Sequence, residues 1–188
     1  MELRERIIEA AFRAYKQKGL KFTMDDLAKD LSISKKTIYT IFDDKGSLID
    51  ALVEEVFKEV KICEDQVMHD ESLDTLGKVK GILAAFPDLF ENLDASGLYV
   101  LRDKYPMTYR KVQRHLETGW EQTFSILNQG VKEGVLRPFN MALFKLMYEA
   151  TLESFFTRDF LSVHHLEYRD ALNQIVEIMV EGITVDQK

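Results

Sequence analysis

Helical periodicity runs through most of this chain, and few residues interrupt it. The 188 residues include only three prolines and nine glycines, and no segment alternates apolar and polar residues between turn signals as an exposed strand would. We find no internal repeat and no low-complexity segment. The sequence therefore predicts an all-α fold, which we expect to contain about nine helices.

Composition excludes several classes of protein. No apolar run approaches the roughly 20 residues that span a bilayer, so we expect no membrane contact of that kind. The N-terminal residues lack the basic start and apolar centre of a secretory signal, and a single cysteine, Cys63, cannot form an internal disulfide. We therefore expect a cytoplasmic protein.

Charge is unevenly distributed along the chain. The formal net charge is −7, but residues 1–50 carry ten Lys or Arg against nine Asp or Glu, which leaves −8 for residues 51–188. DNA interacts with the docking face of a protein and not with its total charge. The acidic total is therefore compatible with DNA binding by the N-terminal part.

Apolar residues at helical spacing predict a first helix that Gly19 ends, and capping signals predict two short helices and a longer fourth one after it. Thr23, followed three residues later by Asp26, resembles a capping box that opens the second helix. Ser34 is a good N-cap for the third helix, and Asp43 or Asp44 can cap the fourth. The short connection between the second and third helices matches a helix-turn-helix.

The third predicted helix has two chemically different faces. Ile38, Ile41 and Phe42 stand at i, i+3 and i+4, so we expect them to point into a core. The opposite face carries two cations and three hydroxyls: Lys35, Lys36, Thr37, Tyr39 and Thr40. These groups suit phosphate and base-edge contacts in a major groove. A plain solvated surface is the alternative, and the helix-turn-helix context favours DNA binding.

The stretch from Thr23-Met-Asp-Asp-Leu-Ala through Ser34-Lys-Lys-Thr-Ile-Tyr to Phe42-Asp-Asp-Lys-Gly-Ser-Leu resembles the signature of the TetR family of transcriptional regulators, within residues 4–57. The resemblance implies a homeodomain-like three-helix helix-turn-helix domain followed by a larger helical domain for ligand binding and dimerisation. Ser32 and Lys36 stand where the family commonly has glycine, and Asp43 where it often has proline, which leaves the base preference open.

Site roles follow from the same resemblance. It implies that Thr23 and Tyr39 bind phosphate and that Lys45 does so from the N-terminus of the fourth helix. It also implies groove contacts for four residues of the third helix, Lys35, Lys36, Thr37 and Thr40. The function implied is a ligand-responsive repressor that binds a near-palindromic DNA operator as a homodimer, with an unidentified small-molecule effector.

Domain organisation is expected to follow this division. We assign residues 1–46 to the DNA-binding domain, with helix four linking the domains from about residue 45, and residues 47–188 to a ligand-sensing and dimerisation domain. One long helix is predicted from Pro106 to a stop at Gly134. The last two helices are predicted at residues 138–160 and 165–183, and the second of them carries more apolar surface than one packed side requires. We expect these two helices to hold the homodimer together.

Aromatic residues at helical spacing could line a ligand pocket in the second domain, although plain core packing is the alternative. The candidates are Phe86, Phe90, Trp120, Phe124, Tyr148 and Phe155. His164, His165 and Glu167 lack further spaced ligands, so we predict surface residues and no metal site.

No nucleophile with a positioned base and no phosphate-binding glycine loop is present, so we expect neither an enzyme nor a cofactor. A helical protein-interaction adaptor without DNA binding is the competing class.

Overall fold

A computed structural model describes residues 2–87 and 98–185, and within those ranges the chain is helical. The helices are α1 (Leu3–Lys18), α2 (Met24–Leu31), α3 (Lys35–Tyr39), α4 (Lys45–His69), α5 (Thr75–Leu83), α6 (Val100–Lys104), α7 (Pro106–Glu117), α8 (Glu121–Glu133), α9 (Met141–Thr157), α10 (Phe160–Val163) and α11 (Tyr168–Glu181). A 3-10 helix, Gly19–Lys21, connects α1 to α2. The only extended pairing in the described ranges is one bridge between Leu136 and Thr184. The prediction of an all-α fold is confirmed.

Helices α1 to α3 pack around a core that also includes the start of α4. Ile7, Phe22, Leu27, Ile38 and Leu48 are fully buried there. Their burial removes apolar side chains from water and provides the main stabilisation of this three-helix unit.

The prediction for the inward face of the third helix is right for two of its three residues. Ile38 and Phe42 are buried, whereas Ile41 is 40% exposed, so its expected place in the core was wrong. Helix α3 ends at Tyr39 and Thr40 is its C-cap. Helical spacing no longer determines the direction of a side chain beyond the cap, and the chain turns Ile41 outward.

Side chains cap α2, α3 and α4 as the sequence predicts. Thr23 Oγ1 accepts a hydrogen bond from the Asp26 amide at 3.2 Å, and Asp26 Oδ2 accepts one from the Thr23 amide at 2.8 Å. Ser34 Oγ accepts from the Thr37 amide, and Asp44 Oδ1 from the Ser47 amide. These bonds satisfy amides that have no partner within the helix, and so fix where each helix begins.

The predicted helix from Pro106 to Gly134 is two helices. α7 ends at Glu117 and α8 begins at Glu121, and Gly119 between them has a φ of 76° that favours glycine. The short α10 likewise separates α9 from α11. The described residues therefore form eleven α-helical segments instead of about nine, because short breaks are hard to read from periodicity alone.

Helix α4 connects the N-terminal helices to the rest of the protein. It packs against α1, α5 and α7. α9 and α11 pack against the C-terminal core, whose fully buried residues include Val79, Leu127 and Val180. Within the described ranges, no helix is both long enough and apolar enough to cross a membrane.

Candidate nucleic-acid interface and interior cavity

The outer face of α3 carries exposed polar side chains, as predicted. Lys35, Lys36, Tyr39 and Thr40 are exposed, while Thr37 is partly buried. Thr23, at the N-terminus of α2, is also exposed. Because Ile38 faces the core, the exposed groups of α3 lie on the side of the helix that faces solvent.

The two lysines of α3 differ in their surroundings. Lys35 Nζ lies 2.8 Å from Asp25 Oδ2 on α2, and this hydrogen bond raises the pKa of Lys35 above its usual value. Within residues 2–87 and 98–185, the Lys36 ammonium has neither an ion pair nor a hydrogen bond. The sequence of α3 itself contains no acidic residue. The acid comes from the preceding helix, which helical spacing within α3 could not reveal.

Local hydrogen bonds orient the hydroxyls of α3. Thr37 Oγ1 lies 2.7 Å from Ser34 Oγ, and Thr40 Oγ1 donates a hydrogen bond to the Thr37 carbonyl at 2.6 Å. A hydroxyl oxygen that donates one bond can still accept another. Both threonines therefore keep hydrogen-bonding capacity for a ligand.

Lys45 points inward, away from the phosphate contact that the resemblance implies. Its ammonium donates hydrogen bonds to the carbonyl oxygen of Leu20, at 2.6 Å, and to that of Phe22. It also lies 4.3 Å from the centroid of the Phe22 ring. Partial burial lowers the pKa of Lys45 below its usual value. The side chain therefore fastens the start of α4 to the segment that precedes α2.

Asp26 joins α2 to α1 in a similar way. It accepts a hydrogen bond from Lys18 Nζ at 2.6 Å in addition to those from Thr23. These contacts, with Lys18 first, lower the pKa of Asp26 from 3.8 to about 2. Arg13 of α1 pairs with Asp30 of α2 at 2.6 Å. Lys18 and Arg13 thus each connect α1 to α2 through an acidic side chain.

An apolar cavity of about 190 Å³ lies between α4 and the surrounding helices. Three of the six predicted aromatic residues line it: Phe86, Trp120 and Tyr148. Phe124 and Phe155 are not in its wall. The ring of Phe124 packs on Trp120 and that of Phe155 on Tyr168, so both stand behind the lining residues. Phe90 lies outside the described residues.

Several lining residues were missed by sequence reasoning. Phe12 and Tyr15 of α1 reach the cavity, so the N-terminal unit contributes part of its wall. α4 contributes a stripe from Ile49 to Glu64. The apolar stripe of α4 was visible in the sequence, but which helices would face it was not.

Polar groups are few in the cavity wall. Lys61 Nζ lies 2.6 Å from Glu64 Oε2 and donates a hydrogen bond to the Gly119 carbonyl at 3.0 Å. Tyr148 donates its hydroxyl to the Leu83 carbonyl at 2.6 Å, and burial raises the pKa of Tyr148. Burial also raises the pKa of Tyr168 to about 12. Both phenols therefore stay protonated at neutral pH.

His115 lies at the side of the cavity that faces α4. Its ring stacks on Phe57 with 4.3 Å between centroids, and Nε2 lies 3.1 Å from Glu54 Oε2. His164, His165 and Glu167 are exposed. Among the described residues, no three His, Cys, Asp or Glu side chains are grouped closely enough to hold a metal ion.

Comparison with known proteins identifies the N-terminal unit. Residues 7–52, from α1 into α4, match the model for bacterial regulatory proteins of the tetR family. The chain is 31% identical over 184 residues to the uncharacterized HTH-type transcriptional regulator YvaF of Bacillus subtilis, covering 98% of this chain and 97% of that protein.

Solved structures extend the likeness of the fold to the whole chain. A TetR transcription regulator from Haloarcula marismortui superposes with a TM-score of 0.71 at 17% identity, covering 97% of this chain and 98% of that one. The fatty acid degradation regulator FadR from Bacillus halodurans gives 0.63 at 19% identity, with 95% of each chain covered. The near full-length relative and the family match decide between the DNA-binding regulator and the adaptor. The chain belongs to the TetR family of bacterial transcriptional regulators, which are DNA-binding proteins and not enzymes.

Proposed function

We propose that this protein is a dimeric, ligand-responsive repressor that releases a near-palindromic operator when an effector enters the interior cavity. The observation that carries the proposal is that α1, α4 and the C-terminal helices share the wall of one cavity. A ligand bound there touches the DNA-binding unit and the sensing unit together. We divide the two at the start of α4, as residues 1–46 and 47–188.

The outer face of α3 is proposed to enter the major groove. Lys36 and Thr40 are exposed and suited to base edges, and Tyr39 and Thr23 to phosphate oxygens. Lys35 can exchange its Asp25 partner for phosphate, because both side chains are exposed to solvent. Thr37 is partly buried and contributes through its hydroxyl.

Lys45 is proposed to position the DNA-binding unit. Its ammonium donates hydrogen bonds to the carbonyl groups of Leu20 and Phe22. Lys45 therefore holds the start of α4 against the segment that precedes α2 and does not contact phosphate directly. Phosphate binding by Lys45 would require these bonds to break. The same contact also lets α4 transmit movement to the helix-turn-helix.

Two C-terminal helices are proposed to form the homodimer. Leu143, Leu146 and Met147 of α9 stand at i, i+3 and i+4, and all three are exposed. Ile178 of α11 is 71% exposed. Large apolar side chains left in water on consecutive long helices favour burial against a second copy, which would form a four-helix bundle around a two-fold axis.

Helix α4 is proposed to couple the cavity to the DNA-binding unit. It contains 25 residues and at about 1.5 Å per residue is about 37 Å long. Lys45 at its N-terminus is hydrogen-bonded to Leu20, in the segment that precedes α2, and the middle of α4 lines the cavity. A ligand that displaces α4 would change the spacing of the two recognition helices. Allosteric coupling of this kind is typically worth about 1–3 kcal/mol.

Selection of bound duplexes from a random pool, followed by fluorescence anisotropy on the selected operator, tests the proposal. We expect binding of one dimer per operator, a steep fall of affinity with salt, and weaker binding after an effector is added. A selected site without two half-sites would contradict dimeric binding. Operator affinity that no cavity-bound compound changes would contradict the response to a ligand.

A further inference from the structure

Glu64 brings a carboxylate into the wall of the apolar cavity. Its side chain is only 12% exposed, whereas that of its partner Lys61 is 48% exposed. The pair is therefore asymmetric: the negative end is largely removed from water and the positive end remains hydrated. A charge in such a setting is costly unless a partner compensates it.

Lys61 compensates this carboxylate incompletely. Burial raises the pKa of Glu64, even though the hydrogen bond and the charge of Lys61 act in the opposite direction. The ionised carboxylate is thus less stable here than in water, and a second positive charge nearby would stabilise it. Lys61 can turn outward because much of its side chain already contacts solvent.

The rest of the wall suits the apolar part of such a ligand. The rings of Phe86, Trp120 and Tyr148 line the cavity, and the face of an aromatic ring attracts cations. Two cations of the chain already use this attraction: Lys145 lies 5.8 Å from the Trp120 centroid and Arg169 lies 5.7 Å from that of Phe86. Neither of these two side chains is part of the wall.

We propose that the cavity binds a small organic cation, an amine or quaternary ammonium with a compact apolar body, whose charge pairs with Glu64. This deepens the proposed function, because it takes the cavity as the effector site. The volume of about 190 Å³ is somewhat larger than a cavity of about 150 Å³ that holds benzene, so a body of one ring with a charged substituent fits.

Three probes that share a phenyl ring and differ in charge test the ligand class: benzyltrimethylammonium, 3-phenylpropionate and 3-phenylpropan-1-ol. Trp120 is the only tryptophan of the chain and lines the cavity, so its fluorescence reports binding directly. The titrations use the full-length protein without DNA. We expect saturable binding of the cation with a Kd at least about tenfold lower than that of either other probe.

Variants assign the charge preference to Glu64. Glu64→Gln should weaken binding of the cation by about tenfold or more and change that of the alcohol by less than about twofold. Glu55→Gln is the matched control, because Glu55 also pairs with a lysine of α4, at 2.9 Å, but lies outside the cavity wall. Lys61→Met should preserve or strengthen binding of the cation.

Three results would overturn the inference. The first is no saturable binding of the cation, and the second is an unchanged Kd for the cation in Glu64→Gln. The third is that 3-phenylpropionate binds most tightly of the three probes and that Lys61→Met no longer binds it. The last result would identify an anion site. These outcomes are separate from the proposed function, since DNA is absent. A cation that binds through Glu64 without changing operator affinity would uphold the ligand class and contradict the regulatory response.

Discussion

Lys35 Nζ lies 2.8 Å from Asp25 Oδ2, so a cation on the proposed recognition helix is paired with an acid on the helix before it. DNA phosphates and this carboxylate would compete for the same ammonium. We therefore expect the pair to lower the affinity of the protein for DNA of any sequence, and its removal tests this expectation.

Asp25→Asn should strengthen DNA binding, because it frees Lys35 and removes a negative charge near the phosphates. We expect a gain of about twofold to tenfold at low salt, measured by fluorescence anisotropy on operator and on random duplex. Asp170→Asn is the control, since Asp170 also lies in the first turn of a helix but belongs to α11. An equal gain in both variants would show a general effect of net charge.

Lys36→Ala should weaken operator binding. If the ammonium reads a base, we expect a loss of about 1–3 kcal/mol on the operator and little change on random duplex. If it binds phosphate, both affinities should fall and the salt slope should become shallower by about one. Lys132→Ala, an exposed lysine of α8, is the control. Binding that Lys36→Ala leaves unchanged would exclude Lys36 from the interface.

Lys45→Met should lower both stability and DNA affinity while leaving the salt slope of binding unchanged. The variant loses the hydrogen bonds to the carbonyl groups of Leu20 and Phe22 and keeps an apolar stem of similar length. We expect about 1–2 kcal/mol less free energy of unfolding, measured by urea titration. A shallower salt slope with unchanged stability would instead assign Lys45 to a direct phosphate contact.

The bonds of Asp26 should make stability depend on acid pH. Its pKa is lowered from 3.8 to about 2 in the folded protein, so folding stabilises the ionised form. This contribution is fully present above the unfolded value and is lost as the pH falls toward 2. The difference in unfolding free energy between the native protein and Asp26→Asn should therefore be constant near neutrality and shrink below about pH 4.

Urea titrations across the acid range measure this difference. Asp30→Asn is the control for removal of a single surface ion pair, because Asp30 contacts only Arg13 through its side chain in the described residues. If the difference in unfolding free energy between the native protein and Asp26→Asn stays constant down to pH 2, the lowered pKa of Asp26 in the folded protein is contradicted.

Leu146→Glu should convert the proposed dimer into a folded monomer. Leu146 is 59% exposed on α9, so a charge there costs little in the monomer but would be buried in a dimer. Sedimentation should show half the mass, and operator affinity should fall because one half-site remains bound per molecule. Met107→Glu is the control, since Met107 is 65% exposed on α7. If Leu146→Glu remains a dimer, α9 does not form the interface.

Local structure around the site was predictable from residues close together in the chain. Thr23 with Asp26, and Ser34 with Thr37, form their caps three residues apart, so their bonds depend only on local geometry. The inward direction of Ile38 follows equally from helical spacing. The segment that carries these residues also carries the family resemblance, and the family match covers it.

Contacts between distant parts of the chain depended on how the helices pack. Lys45 donates a hydrogen bond to the carbonyl of Phe22, 23 positions earlier in the chain. Phe12 and Trp120 line the same cavity although they are more than a hundred residues apart in the sequence. Gly119 likewise marks a break that periodicity did not reveal. The reason is physical: caps and helical faces are set by neighbours within one or two turns, whereas pairing between helices depends on shape and burial summed over the whole fold. The sequence by itself therefore determined the all-α class, the caps of α2 to α4 and the inward direction of Ile38, whereas only the tertiary structure decided where the later helices break and which side chains contact one another in the interior.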